Sequence, residues 1–104
     1  MNTLEVTYSV ALRDYPEDLL AADRIKIETR YAVELERAIG TPDEVAAALD
    51  TLQLLQSSPP GSFSPDQLAV VRRWGAASTA ARRAALEDVG DAEGCRFEVE
   101  RIPF

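Results

Sequence analysis

Two short stretches, TPDE at 41–44 and SPDQ at 64–67, constrain this chain more than any other feature. Each runs hydroxyl residue, proline, acidic residue, and closes with Glu44 or Gln67 three positions after the hydroxyl. Such a hydroxyl accepts from the backbone three residues ahead, while the Glu or Gln side chain reaches back to the cap's own N–H. Proline suits the first helical position, where its missing N–H has no intrahelical partner anyway. Helices are therefore expected to start at Pro42 and Pro65. The first carries Val45, Ala48, Leu49, Leu52 and Leu55 or Gln56 at helical spacing. It must stop before a loop at 57–64, because Pro59–Pro60–Gly61 cannot continue a helix. The second runs toward Gly90 with Val70, Trp74, Ala77, Ala81 and Ala84 or Ala85 on one stripe. Gly75 or the Ser78–Thr79 pair could divide it, so one helix and two both stay open over 65–89.

The chain ends follow a different period. Leu4, Val6, Tyr8, Val10 and Leu12 alternate with Glu5, Thr7, Ser9 and Ala11. Cys95, Phe97 and Val99 alternate with Arg96, Glu98 and Glu100. Alternation of this kind reads as a half-buried strand, and the two are expected to pair. Pro103 ends the second strand or marks it as an edge. A helix is expected to start near Pro16, with Glu17 and Asp18 favourable at its N-terminus.

The stretch from Asp23 to Gly40 fits two templates. As a helix, Leu20, Ile27, Tyr31, Leu35 and Ala38 form a stripe, and Ile25 and Val33 fall off it. As a strand, Ile25, Ile27, Thr29, Tyr31, Val33 and Leu35 share one face. A strand of about 12 residues is roughly twice the usual length, and Gly40 suits a helix C-cap. The second half is read as helix, and Arg24–Tyr31 stays open. Lys26, Glu28, Arg30, Glu34 and Glu36 are expected to face solvent on either template. The fold class is α+β and mostly helical. Terminal strands, with a third at 24–35 as an open alternative, form a small antiparallel sheet against three to four helices. The whole of 1–104 is expected to be one domain.

Function is bounded first by absences. The chain has no histidine and one cysteine, Cys95. Histidine is the usual general base near neutral pH, so Ser-His-Asp and Cys-His arrangements are excluded, as are structural zinc sites of Cys and His. An intrachain disulfide is excluded too. On the apolar side of a strand, Cys95 reads as a small core residue. Asp14, Glu17 and Asp18 form one acidic cluster, and Glu87, Asp88, Asp91 and Glu93 another. Neither has the spacing of a metal loop, and both read as solvated helix ends and turns. The five glycines are scattered singly, so no phosphate-cradling loop is present. No enzyme activity, cofactor or metal is expected.

Eighteen acidic and eleven basic residues give a net charge of −7. Phosphate binding needs a surplus of Lys and Arg, so direct contact with nucleic acid is not expected. A basic protein partner, or mimicry of nucleic-acid charge, fits better. No apolar run approaches the ~20 residues of a membrane helix, and the N-terminus lacks the pattern of a signal peptide. A cytoplasmic location with no membrane partner is expected. Arg72, Arg73, Arg82 and Arg83 are the basic concentrations and candidate partner-binding residues. The alternative is a solvated helix face with Arg83 and Glu87 paired four residues apart. Glu98 and Glu100 join the candidates because an edge strand offers a pairing surface.

The order of LEVTYSVAL, DLLAADRIKIETRYAVELERAIG and VVRRWGAASTAARR resembles the small tail assembly chaperones of long-tailed bacteriophages. The matching positions are Asp23, Glu28, Trp74 and Ala76, within residues 3–83. The chain differs from that family in its terminal strand and in lacking an aromatic-rich middle helix. The resemblance implies transient binding of tape measure protein and tail tube subunits in the host cytoplasm, with no catalytic residue. Three functions therefore compete. The first is a non-enzymatic protein-binding or assembly module. The second is an acidic inhibitor, whether immunity protein, antitoxin or nucleic-acid mimic. The third is a homo-oligomeric structural subunit that pairs through its terminal strand.

Overall fold

The structure is a computed structural model and describes residues 8–59, 61–90 and 92–102. The described residues form β1 (Tyr8–Asp14), α1 (Ala21–Ile39), α2 (Pro42–Gln56), α3 (Pro65–Ala85) and β2 (Arg96–Arg101), with a 3-10 turn at Ala92–Gly94. The fold is α+β and mostly helical, with three helices against one two-stranded antiparallel sheet.

Both capping boxes close as their spacing requires. Thr41 Oγ1 accepts from Glu44 N at 3.3 Å, and Ser64 Oγ accepts from Gln67 N at 3.1 Å. The side chains of Glu44 and Gln67 accept in turn from the cap N–H groups. α3 is one helix, undivided at Gly75 or Ser78, and it ends at Ala85 rather than near Gly90. Leu86 turns out of the helix into the core, and a tight turn from Leu86 to Val89 follows.

The ambiguous stretch is helical throughout, so no third strand exists at 24–35. Ile27, Tyr31, Leu35 and Ile39 are buried, one every fourth residue, while Ile25 and Val33 are exposed. The stripe ends on Ile39, not Ala38, and Leu20 lies outside it at 68 % exposure. The helix expected near Pro16 starts at Ala21 instead. Pro16 belongs to a single turn, its carbonyl accepting from Leu19 N at 3.0 Å. No side chain caps α1 at Leu20. Arg24 holds this entry, donating to the Tyr15 hydroxyl at 2.8 Å with its guanidinium 5.3 Å from the ring centre.

α1 is the spine. On one side it meets Ala77, Ala81 and Ala85 of α3, whose small side chains let the two backbones approach closely. On the other it meets the inner face of the sheet, Tyr8 and Leu12 of β1 with Phe97 and Val99 of β2. Leu4 and Val6, expected on the same face, lie outside the described residues, as does Pro103. Cys95 is buried just before β2, as a small core residue should be. Arg82 fixes the return from α3 to β2, its Nη2 donating to the carbonyls of Ala92 at 2.5 Å and Cys95 at 3.1 Å.

Two of the side chains expected in solvent tie α1 to β1. Glu28 Oε2 accepts from the backbone N–H of Leu12 at 2.7 Å, and Glu36 Oε2 accepts from the Tyr8 hydroxyl. Arg30 pairs with Glu87 across to the turn after α3, at 2.7 Å. Burial, and then the hydrogen bond to Glu36, pushes the Tyr8 pKa well above its ordinary value. Burial raises Tyr31 as well. Unfolded tyrosine ionises near pH ~10. The folded chain therefore holds these two protons more tightly than the unfolded one. Their stabilisation is complete below about pH 10 and is lost as pH rises above it. Alkaline titration should show the phenolate absorbance of Tyr8 and Tyr31 appearing only with loss of the folded circular dichroism. Tyr8→Phe should make stability less steep in this range. An unchanged slope would remove Tyr8 from the account.

Candidate functional site

A cleft of about 590 Å³ opens between α2, α3 and β2. Leu49 and Leu52 of α2 form one wall, Trp74 and Ser78 of α3 the back, and Phe97 and Val99 of β2 the other wall. Tyr31 of α1 lies beneath, its ring stacked on Phe97 with centroids 4.1 Å apart and planes at 18°. Gln53, Gln56, Glu100 and Arg101 form a polar rim. Arg101 reaches Asp50 at 3.3 Å and bridges β2 to α2. Trp74 also lines a smaller pocket of about 220 Å³ between α2 and α3. The larger volume lies within the ~300–1,000 Å³ usual for ligand sites.

The cleft follows from how α2 is attached. Its start is pinned by the capping box and by Val45, which is fully buried. Further along, Leu49 and Leu52 are only half-buried. α2 is apolar on several faces, and one of them is left facing the gap beside β2. A helix of this kind needs either further protein or a partner on that face.

Of the six candidate partner-binding residues, only Glu100 lines this cleft. The four arginines do not form a patch. Arg73, itself exposed, donates to the Ile39 carbonyl at 2.5 Å, closing the C-terminal end of α1. Arg82 clamps the turn before β2. Arg72 and Arg83 are exposed on α3, eleven residues apart and so about 16 Å along the helix. Glu87 pairs with Arg30 rather than with Arg83, because α3 has ended before it. Glu98 and Glu100 lie together on the outer sheet face. Glu98 also pairs with Arg13 at 2.8 Å. A hydrogen bond from Glu100 holds the Glu98 carboxyl below its ordinary pKa and raises that of Glu100.

The walls were not legible as a site. Trp74 reads as core from its stripe, and Leu49 and Leu52 read as an ordinary buried face. The usable signal was the excess of apolar positions around α2, including the exposed Leu54. Chemically, the cleft offers apolar contact and a polar rim. Ser78, the hydroxyl at its back, donates to the Gly75 carbonyl at 3.2 Å. Among the described residues, no three of Asp, Glu and Cys gather where they could hold a metal ion. No described helix is long and apolar enough to cross a membrane.

Comparison with known proteins finds nothing: no family model, no curated protein and no solved structure matches this chain.

Proposed function

We propose that this chain is a non-enzymatic protein-binding module that receives its partner in the cleft between α2, α3 and β2. The observation that carries this reading is the set of half-buried apolar side chains there, Leu49, Leu52, Trp74, Phe97 and Val99, behind a polar rim. Burying such a surface against a partner is the ordinary driving force of association. The net charge of −7 favours a basic partner. Charge mimicry of nucleic acid is less well supported. Arg13, Arg30, Arg37, Arg96 and Arg101 each stand beside a carboxylate, which interleaves the signs over the surface. The narrower version, an assembly chaperone for phage tail subunits, rests on the sequence resemblance alone.

A photo-crosslinking amino acid at Leu52, inside the cleft, and another at the exposed Thr29 of α1 test the proposal. In cells of the native host, the Leu52 position should give a discrete protein adduct absent from the Thr29 position. A tail tube or tape measure subunit in that adduct would support the narrower version. No adduct, or the same adducts from both positions, contradicts the proposal.

A further inference from the structure

A two-stranded sheet has two outer edges, and in this protein they differ. On the β1 side, the Leu12 N–H points away from β2 and is held by Glu28 Oε2 at 2.7 Å. That bond also fixes the phase of the ladder. Leu12 lies opposite Phe97, and Val10 opposite Val99. In an antiparallel ladder, opposed residues alternate between those that exchange hydrogen bonds and those that do not. Since Leu12 directs its N–H outward, Phe97 and Val99 do the same on the far side of β2. Among the described residues, no hydrogen bond outside the ladder involves the main chain of Phe97 or Val99. Val99 has its side chain on the inner face and Glu100 on the outer, yet both line the cleft. The cleft therefore opens onto the edge of β2 itself.

Resting on the protein-binding reading above, we infer that β2 takes an extended segment of a basic partner as a third strand of the sheet. Backbone N–H and C=O groups of Phe97 and Val99 supply the register, as in strand addition generally. Side chains of the added strand alternate between the two faces. Those on the inner face enter the cleft against Leu52 and Trp74. Those on the outer face stand beside Glu98 and Glu100, of which Glu98 pairs with Arg13 at 2.8 Å. The segment recognised thus alternates apolar and basic residues. A second copy of this chain is the poorer occupant, since each copy carries −7.

Trp74 is the only tryptophan, so its fluorescence reports on the cleft directly. The probe is a short peptide of alternating valine and lysine, matched in length to β2, titrated into the full chain. Two further peptides carry N-methyl groups on the valine amides only or on the lysine amides only. Binding should shift Trp74 emission, and one methylated peptide should bind at least about tenfold more weakly while the other binds as the parent does. Loss on valine methylation means antiparallel addition; loss on lysine methylation means parallel addition. Glu98→Gln with Glu100→Gln, both outside the core, should weaken binding and reduce its salt dependence. No shift with the parent peptide, or equal binding by both methylated peptides, overturns the strand-addition mode. A cleft adduct from Leu52 alongside that negative result would leave protein binding standing and remove only this mode. A double-length adduct of the chain with itself would replace the basic partner with a second copy.

Discussion

Leu35→Ala should cost about 3 kcal/mol and lower the melting temperature by roughly 12–20 °C. Leu35 has no exposed surface and sits one turn before the end of α1, in the core shared with α3, the start of α2 and the sheet. Its neighbours give the site little means to collapse. On the α3 side they are Ala77 and Ala81, side chains too short to swing into a cavity. The loss therefore includes the cavity as well as the transfer of the deleted atoms. Leu35→Met keeps the volume and should cost less than ~1.5 kcal/mol. Urea unfolding of both variants measures this. A Leu35→Ala cost under ~1 kcal/mol would mean that the core is not centred where the packing places it.

Gly40→Ala should be the next most damaging change, at about 2–4 kcal/mol. Gly40 joins α1 to α2 with φ +138° and ψ −140°, a region that side chains rarely enter. Holding another residue there costs about 1–3 kcal/mol. A Cβ at this position would also fall 2.5 Å from Glu44 Oε2. Glu44 would have to leave the capping box, losing roughly another 1 kcal/mol. Adding Glu44→Ala to Gly40→Ala should then cost less than Glu44→Ala alone, because the contact has already expelled that side chain. Simple additivity of the two changes would show that the carboxylate moves away without loss. The junction bears on function because it sets the angle at which α2 faces β2 across the cleft.

What the sequence made legible here was local. TPDE and SPDQ fixed two helix starts because each box is closed by side chains three residues apart. Terminal alternation fixed the two strands, and Gly40 ended α1 as its C-cap, though in a conformation other than the usual left-handed helical one. What stayed illegible depended on distance in sequence. Glu28 and Glu36 alternate with apolar residues and look solvated, yet their partners, Leu12 and Tyr8, lie 16 and 28 residues away. Arg73 and Arg82 look like one basic face with Arg72 and Arg83. Half of that set donates to backbone carbonyls at a helix end and a turn. The same limit hid the cleft, whose walls come from α2, α3 and β2 and whose floor comes from α1. Helical stripes identify apolar faces, but not which of them the fold leaves uncovered.

The central claim, that Leu12 on one sheet edge is held by Glu28 of α1 while, among the described residues, Phe97 and Val99 on the other edge bond nothing outside the ladder, can be measured without any partner. Amide hydrogen exchange in the isolated protein should alternate along β2. Glu98 and Glu100, bonded into the ladder, and Leu12, held by Glu28, should exchange about two orders of magnitude more slowly than Phe97 and Val99. Phe97 and Val99 exchanging as slowly as Glu98 and Glu100 would mean that the edge is already covered, and would contradict the account.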